Sequence, residues 1–291
     1  MSLEIYFKPI HSIEFSKNSI GSIVDSHINS FPEWESSDIV FLTIHENRGS
    51  SSEKKNEIDH YTIRNKLYNF KWEGSLTMSD LGILDAGYSL KDTYAALKEI
   101  TFEIQKKSKL LILLGGSQDL TFANYLGYEQ LEQPINLTCI DHSFDVVVDQ
   151  EQEISDKNYI NHLLLHSPNN LFNFSNLGYQ SYFNAQEAMD LMDRLFFDAY
   201  RLGSLTKDLS VAEPVLRGAH IVGIDARAVR ASEMGGGSDF SPNGFDGREI
   251  CTLSRYAGLS DTVAVFGIFE SDNHPQSTQM VAQMIWYFID G

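Results

Sequence analysis

An α/β fold, with helices covering both faces of a mainly parallel sheet, is what this sequence predicts, and three observations carry the prediction. Short continuous apolar runs alternate with stretches of helical periodicity along most of the chain. Several of those runs end on a carboxylate or on a glycine pair, which is how strands of a parallel sheet hand over to loops that bind ligands. No composition break or linker divides the 291 residues, a length ample for one large core.

Residues 1–36 are polar and Ser-rich and read as an N-terminal arm, leaving 37–291 as a single domain. Residues 38–44 (DIVFLTI) are a buried strand, short, continuous and β-branched, followed by a polar loop at 45–57. A helix is expected at 61–70 and a strand at 80–84. Ser89 caps a helix running to about residue 107, with Leu90, Tyr94, Leu97 and Ile104 at helical spacing. Residues 109–114 (KLLILL) form the next strand, and Gly115-Gly116 turn the chain sharply into a helix at 120–131. The strand at 135–140 comes next. Between 146 and 175 the pattern is poor, with a strand expected at 171–177. Helices follow at 185–197 and 211–217, then a strand at 220–225 and the glycine-rich loop EMGGGSDFSPNGF. Asp246 caps a helix to about residue 256, a last strand at 262–269 ends on Glu270, and a last helix spans 278–289.

The stretch NLTCIDHSFDVVV at 136–148 is the chemical centre of this pattern. Its apolar run ends in Asp141, and Asp145 follows four residues later. Two carboxylates at the mouth of a parallel strand suit a metal or a cationic group, although an acidic loop after a strand is as often a cap or turn. Two further strand ends, GGSQD at 115–119 and IDAR at 224–227, shift the balance towards a site. Four strands thereby bring Gln118 and Asp119, Asp141 and Asp145, Asp225 and Arg227, and Glu270 to one edge.

Composition narrows the partners. A formal charge of −18 excludes nucleic acid, whose phosphates need clustered Lys and Arg. The acidity serves solubility. The two cysteines, Cys139 and Cys251, show neither zinc spacing nor a disulfide framework, and no run approaches membrane-spanning length, so a cytoplasmic location is expected.

With GGSQD, IDHSFD, IDAR, SPNGFDGRE and FGIFE in this order, the chain resembles the ureohydrolases: arginase, agmatinase and formimidoylglutamase. The likeness to formimidoylglutamase also rests on ENRGS, DLGILDAGYSLKDTYAAL and the MIWYFIDG helix. The resemblance implies a three-layer α/β/α sandwich with a mainly parallel sheet of about eight strands, an assembly of identical subunits, and hydrolysis of linear amidine or guanidino C–N bonds by a hydroxide on two manganese ions. It implies metal positions at Gln118, Asp141, Ser143, Asp145, Asp225 and Arg227, and a substrate-facing role for Glu270, which is otherwise a polar strand end.

The departures from the family pattern are at those positions. Gln118 and Ser143 stand where the family has histidines, and Arg227 stands where it has an aspartate, so only Asp141, Asp145 and Asp225 remain as ligands. The family's His-Gly base loop is not found, and His162 and His166 read as ordinary surface or core residues. His142, one residue from the family histidine, is expected to aim away from Asp141 and Asp145, because neighbouring side chains of an extended strand point to opposite faces. Three carboxylates converging at about 5 Å repel by roughly 3 kcal/mol per pair at an effective dielectric near 20. Arg227 supplies the cation they need.

The reading that follows is a metal-free relative that binds a small cationic or amidine-type ligand, or a partner, without hydrolysis. The alternatives are a manganese-dependent hydrolase on Asp141, Asp145 and Asp225 or on a shifted set including His142, and a purely structural subunit.

Overall fold

Among the residues that the computed structural model describes (2–52, 59–147 and 153–291), ten strands form one sheet. In chain order they are β1 (Phe7–Lys8), β2 (Val24–Ser26), β3 (Ile39–His45), β4 (Met78–Asp85), β5 (Leu110–Leu114), β6 (Ile135–Ile140), β7 (Leu171–Tyr179), β8 (Asp198–Arg201), β9 (Ile221–Asp225) and β10 (Val265–Phe269). They lie side by side as β1-β4-β3-β5-β10-β9-β6-β7-β8, with β2 also pairing β4, and every pairing is parallel except β1 with β4. Parts of the expected loop at 45–57 and of the stretch 146–175 fall outside the described residues.

The seven strands expected from sequence are the longer ones. The three additions are two to four residues long and sit at the sheet margins. Residues of the expected N-terminal arm supply β1 and β2 and bury Leu3, Phe7, Ile13, Ile20 and Trp34. A two-residue strand has too little pattern to stand out in a sequence.

Helices α1 (His60–Asn69), α2 (Leu90–Lys106), α3 (Leu120–Glu129), α4 (Tyr159–Leu165), α5 (Gln186–Arg194), α6 (Leu202–Leu205), α7 (Ala212–Arg217), α8 (Gly247–Gly258) and α9 (Pro275–Asp290) cover both faces. Strand alternation decides which face each side chain joins. Ile112, Leu114, Val222, Ile224, Phe266 and Ile268 pack with α1, α7, α8 and α9, whereas Leu111, Leu113, Ile221 and Val265 pack with α2, α3, α4 and α5. Ser89 and Asp92 close a reciprocal capping box at the start of α2, and Asp246 with Glu249 does the same for α8. Among the described residues no helix is long and apolar enough to cross a membrane.

One ion pair lies wholly inside the layer between sheet and α1. Arg64 donates from Nε and Nη2 to Asp80 at 2.7 and 3.0 Å, Tyr68 donates its hydroxyl to the same carboxylate, and the Gly82 amide adds a fourth bond at 2.9 Å. The guanidinium lies 5.1 Å from the Phe41 ring centre.

Register places the site. Leu114 pairs Ile268, Phe269 pairs Asp225 and Ile224 pairs Ile140, so β5, β10, β9 and β6 end level with one another. The residues that follow them therefore emerge at one edge. Gly116 makes the tightest of these exits. Its φ is +76°, and a Cβ there would come within 2.6 Å of the Glu46 carbonyl oxygen, so only glycine fits. Its own carbonyl accepts from the Glu270 amide at 3.0 Å, which ties the end of β10 to the end of β5.

Candidate functional site

Arg227 is the hub of the site. Its backbone amide donates to Asp225 Oδ1 at 2.7 Å, and Nε reaches both oxygens of that carboxylate at 2.9 and 3.0 Å, with Nη2 also on Oδ2. Nη1 donates to Asp156 Oδ2 at 2.7 Å and stops 3.9 Å short of Glu270 Oε2. Burial pushes the Asp225 carboxyl upward, but Arg227 outweighs it and holds the group below the usual carboxylate range.

Among the described residues, no cation hydrogen-bonds the second half of the cluster, Asp141 and Asp145. The Ser143 amide donates to Asp141 Oδ1 at 2.9 Å, and Ser143 Oγ donates to Asp145 Oδ1 at 2.6 Å. Burial, then the neighbouring Asp225, pushes Asp141 up to about 7. Burial, then Asp141, raises Asp145 well above its ordinary value. Burial also lifts Glu270 to about 7 against the pull of Arg227. Both Asp145 (φ 52°) and Glu270 (φ 54°) hold left-handed backbone angles.

These raised carboxyls set a sign for stability against pH. Each keeps its proton in the folded chain at a pH where the unfolded chain has lost it. Their contribution is complete below the unfolded carboxyl range near 4 and is lost as pH rises through about 7. Buried histidines, His60 above all, push the other way over pH 5 to 8, so the carboxyl contribution is read by difference: the loss of urea midpoint over this interval is expected to be smaller in Asp141→Asn than in the wild-type chain. An equal pH dependence in the two contradicts the burial of a protonated Asp141.

The sequence-expected residues do meet at this edge, with two qualifications. Gln118 gives only its backbone amide to Glu270, at 3.1 Å, while its side-chain Nε2 turns to the Tyr159 hydroxyl at 3.3 Å, beside Cys139. His142 does not aim away. Its Nδ1 lies 3.0 Å from Asp141 Oδ1, although not aligned as a hydrogen bond, and one ligand atom each from Asp141, His142 and Asp225 falls within a 4.8 Å span. The alternation rule fails because β6 ends at Ile140 and the chain then turns over the Asp141 carboxylate.

Asp156 was missed by sequence reasoning. Fully buried, it accepts from Arg227 and from both the amide and hydroxyl of Ser51, at 2.9 and 2.8 Å, while its own amide donates to the Gly49 carbonyl. It lies in SDKN, a run of turn-forming residues with no local mark of function. Asp119 is likewise buried. Burial raises it to about 6, it accepts from the Tyr94 hydroxyl, and Gly49 packs directly on it.

Two cavities open beside the cluster. One of about 230 Å³ is lined by Arg227, Glu270, Ser50, Asp239, Asp272 and residues of the glycine-rich loop. The other, about 540 Å³, is lined by His142, Ser143, Asp145, Lys157, Phe183 and Glu187 among others.

The class that this architecture defines is the arginase-like α/β/α fold. The solved structures that share it include formimidoylglutamase from Bacillus subtilis (TM-score 0.81, 12% identity, 98% of this chain and 96% of that one). They also include Trypanosoma cruzi formiminoglutamase with Mn2+2 (TM-score 0.77, 16% identity, 89% and 94%) and the agmatine ureohydrolase of Thermoplasma volcanium (TM-score 0.71, 16% identity, 94% of each chain). No protein-family model matches the sequence, and no curated protein does. At 12–16% identity the likeness establishes the fold.

Proposed function

We propose that this chain is a ureohydrolase-superfamily protein that binds a small ligand without hydrolysing it, with the Arg227 ion-pair network standing where its enzymatic relatives hold manganese. The observation that carries this reading is the guanidinium itself. It takes both oxygens of Asp225 and one of Asp156 in a space where a permanent positive charge and a divalent ion would repel. A pair of manganese ions does not fit these donors. Asp225 is already occupied by Arg227, one Asp145 oxygen takes the Ser143 hydroxyl, and the Gln118 side chain faces Tyr159. The ligand site is the 230 Å³ cavity over Arg227 and Glu270.

A second reading is a hydrolase built on a single ion, and the Asp141, His142 and Asp225 triplet favours it. Elemental analysis of protein purified without chelator separates the two. The proposal expects no stoichiometric transition metal, whereas one manganese per chain returns the hydrolase to first place. Restoring Gln118→His, Ser143→His and Arg227→Asp together is expected to create manganese binding measurable by calorimetry. If the triple variant folds and binds no manganese, the site is not a disabled dimanganese centre.

A further inference from the structure

We infer that Arg227 makes the small cavity select a neutral carboxamide or ureido head group over a cationic one; this rests on the ligand-binding reading above. A guanidinium carries five N–H donors. In Arg227 the Nε donor and one from Nη2 go to Asp225, and one from Nη1 goes to Asp156. That leaves one N–H on each terminal nitrogen, and Arg227 lines the cavity. Beside it, Glu270 accepts from the Gln118 amide on Oε1 and from Ser50 Oγ on Oε2, and each oxygen keeps lone-pair capacity. The gap of 3.9 Å between Arg227 Nη1 and Glu270 Oε2 is too long for a hydrogen bond. The cavity floor is thus a donor and an acceptor side by side, neither satisfied by the other.

Three head groups can be set against that floor. An amidinium or guanidinium offers donors only, so it satisfies Glu270 but puts a second cation and its N–H groups against Arg227. A carboxylate offers acceptors only, so it satisfies Arg227 but sets charge against Glu270. A carboxamide or ureido group offers an oxygen to Arg227 and an N–H to Glu270 at once, with no unpaired charge. At the rim, Asp239 accepts from Ser52 and Asp272 from the His274 amide, and both carboxylates disfavour an anionic tail and suit an ammonium.

The test compares 4-ureidobutylamine with 4-guanidinobutylamine, which share a tail and differ only in the head. At pH 8.5, where the Glu270 carboxyl is ionised, titration calorimetry on the wild-type chain is expected to show the ureido compound binding at least tenfold more tightly. Arg227→Met is expected to reverse the preference. Should that variant not fold, Glu270→Gln keeps an acceptor for the ureido N–H, so that compound should lose only a few-fold while guanidino binding is abolished. Equal or tighter binding of the guanidino compound to wild type overturns the inference but leaves the non-hydrolytic reading standing. Binding of neither compound also overturns it. Release of urea from the guanidino compound overturns instead the reading on which the inference rests.

Discussion

Arg227→Ala is expected to lower folding stability by about 3–5 kcal/mol, the usual cost of removing one partner from a buried ion pair. An exposed pair costs at most about 1 kcal/mol, so burial decides the size of the effect. The Arg227 side chain is 6% exposed, and those of Asp225 and Asp156 are 0% exposed. The variant leaves Asp225, Asp156 and Glu270 facing one another with only the half-exposed Lys157, 3.9 Å from Asp156, as a counter-charge. The pH dependence has a definite sign. In the wild-type chain Asp225 sits below its ordinary range, so its contribution is present above the unfolded value and lost as pH falls through the folded one. Without Arg227 the same carboxyl must rise, and the variant then gains stability on acidification. The difference between the two urea midpoints should narrow towards pH 4. Added manganese should recover part of the loss if the vacated space accepts a cation. A variant within about 1 kcal/mol of wild type at pH 8 would show that Arg227 is not the counter-charge of the site.

A loss of similar size, about 3–5 kcal/mol, is expected for Asp80→Ala, for a different reason. Asp80 has no place at the sheet's carboxyl edge. Its four bonds hold Arg64, Tyr68 and the Gly82 amide in the interior beneath α1. Removing it strands a fully buried guanidinium, and no metal or ligand should restore it. Arg64→Met with Asp80→Leu together should be far milder than Asp80→Ala alone, since replacing a buried pair with apolar groups of similar volume is often neutral. Denaturation of the single and double variants measures this. A double variant as unstable as Asp80→Ala would mean that the pair fixes backbone geometry that apolar packing does not replace.

Much of this architecture was written in the chain's periodicity. The buried strands 38–44, 109–114, 135–140, 220–225 and 262–269 stand out because both faces of the sheet are covered and their residues are nearly all apolar. Gly115-Gly116 marked the turn that only glycine permits. What escaped depends on contacts between distant residues. β1, β2 and β8 are strands because they lie against a neighbour, not because two to four residues alternate. In the site, Asp225 and Arg227 are two residues apart and their pairing follows from local geometry. The Asp156 bond to Arg227 spans 71 residues and arises from a segment with turn composition alone. His142 was misplaced for the opposite reason, a regular rule carried one residue past the end of its strand.

The left-handed backbone at Asp145 and Glu270 bears on how this protein would respond to engineering. For any residue but glycine such a conformation costs roughly 1 kcal/mol or more. Glycine at these positions would relieve the backbone and is an obvious choice in a search for thermostable variants. Yet Asp145 is the carboxyl that takes the Ser143 hydroxyl, and Glu270 is the acceptor beside Arg227 in the small cavity. Two of the readiest routes to a hardier chain therefore run through residues of the buried polar cluster, Asp145 beside the larger cavity and Glu270 in the smaller one, a trade between robustness and side-chain chemistry fixed by the backbone itself.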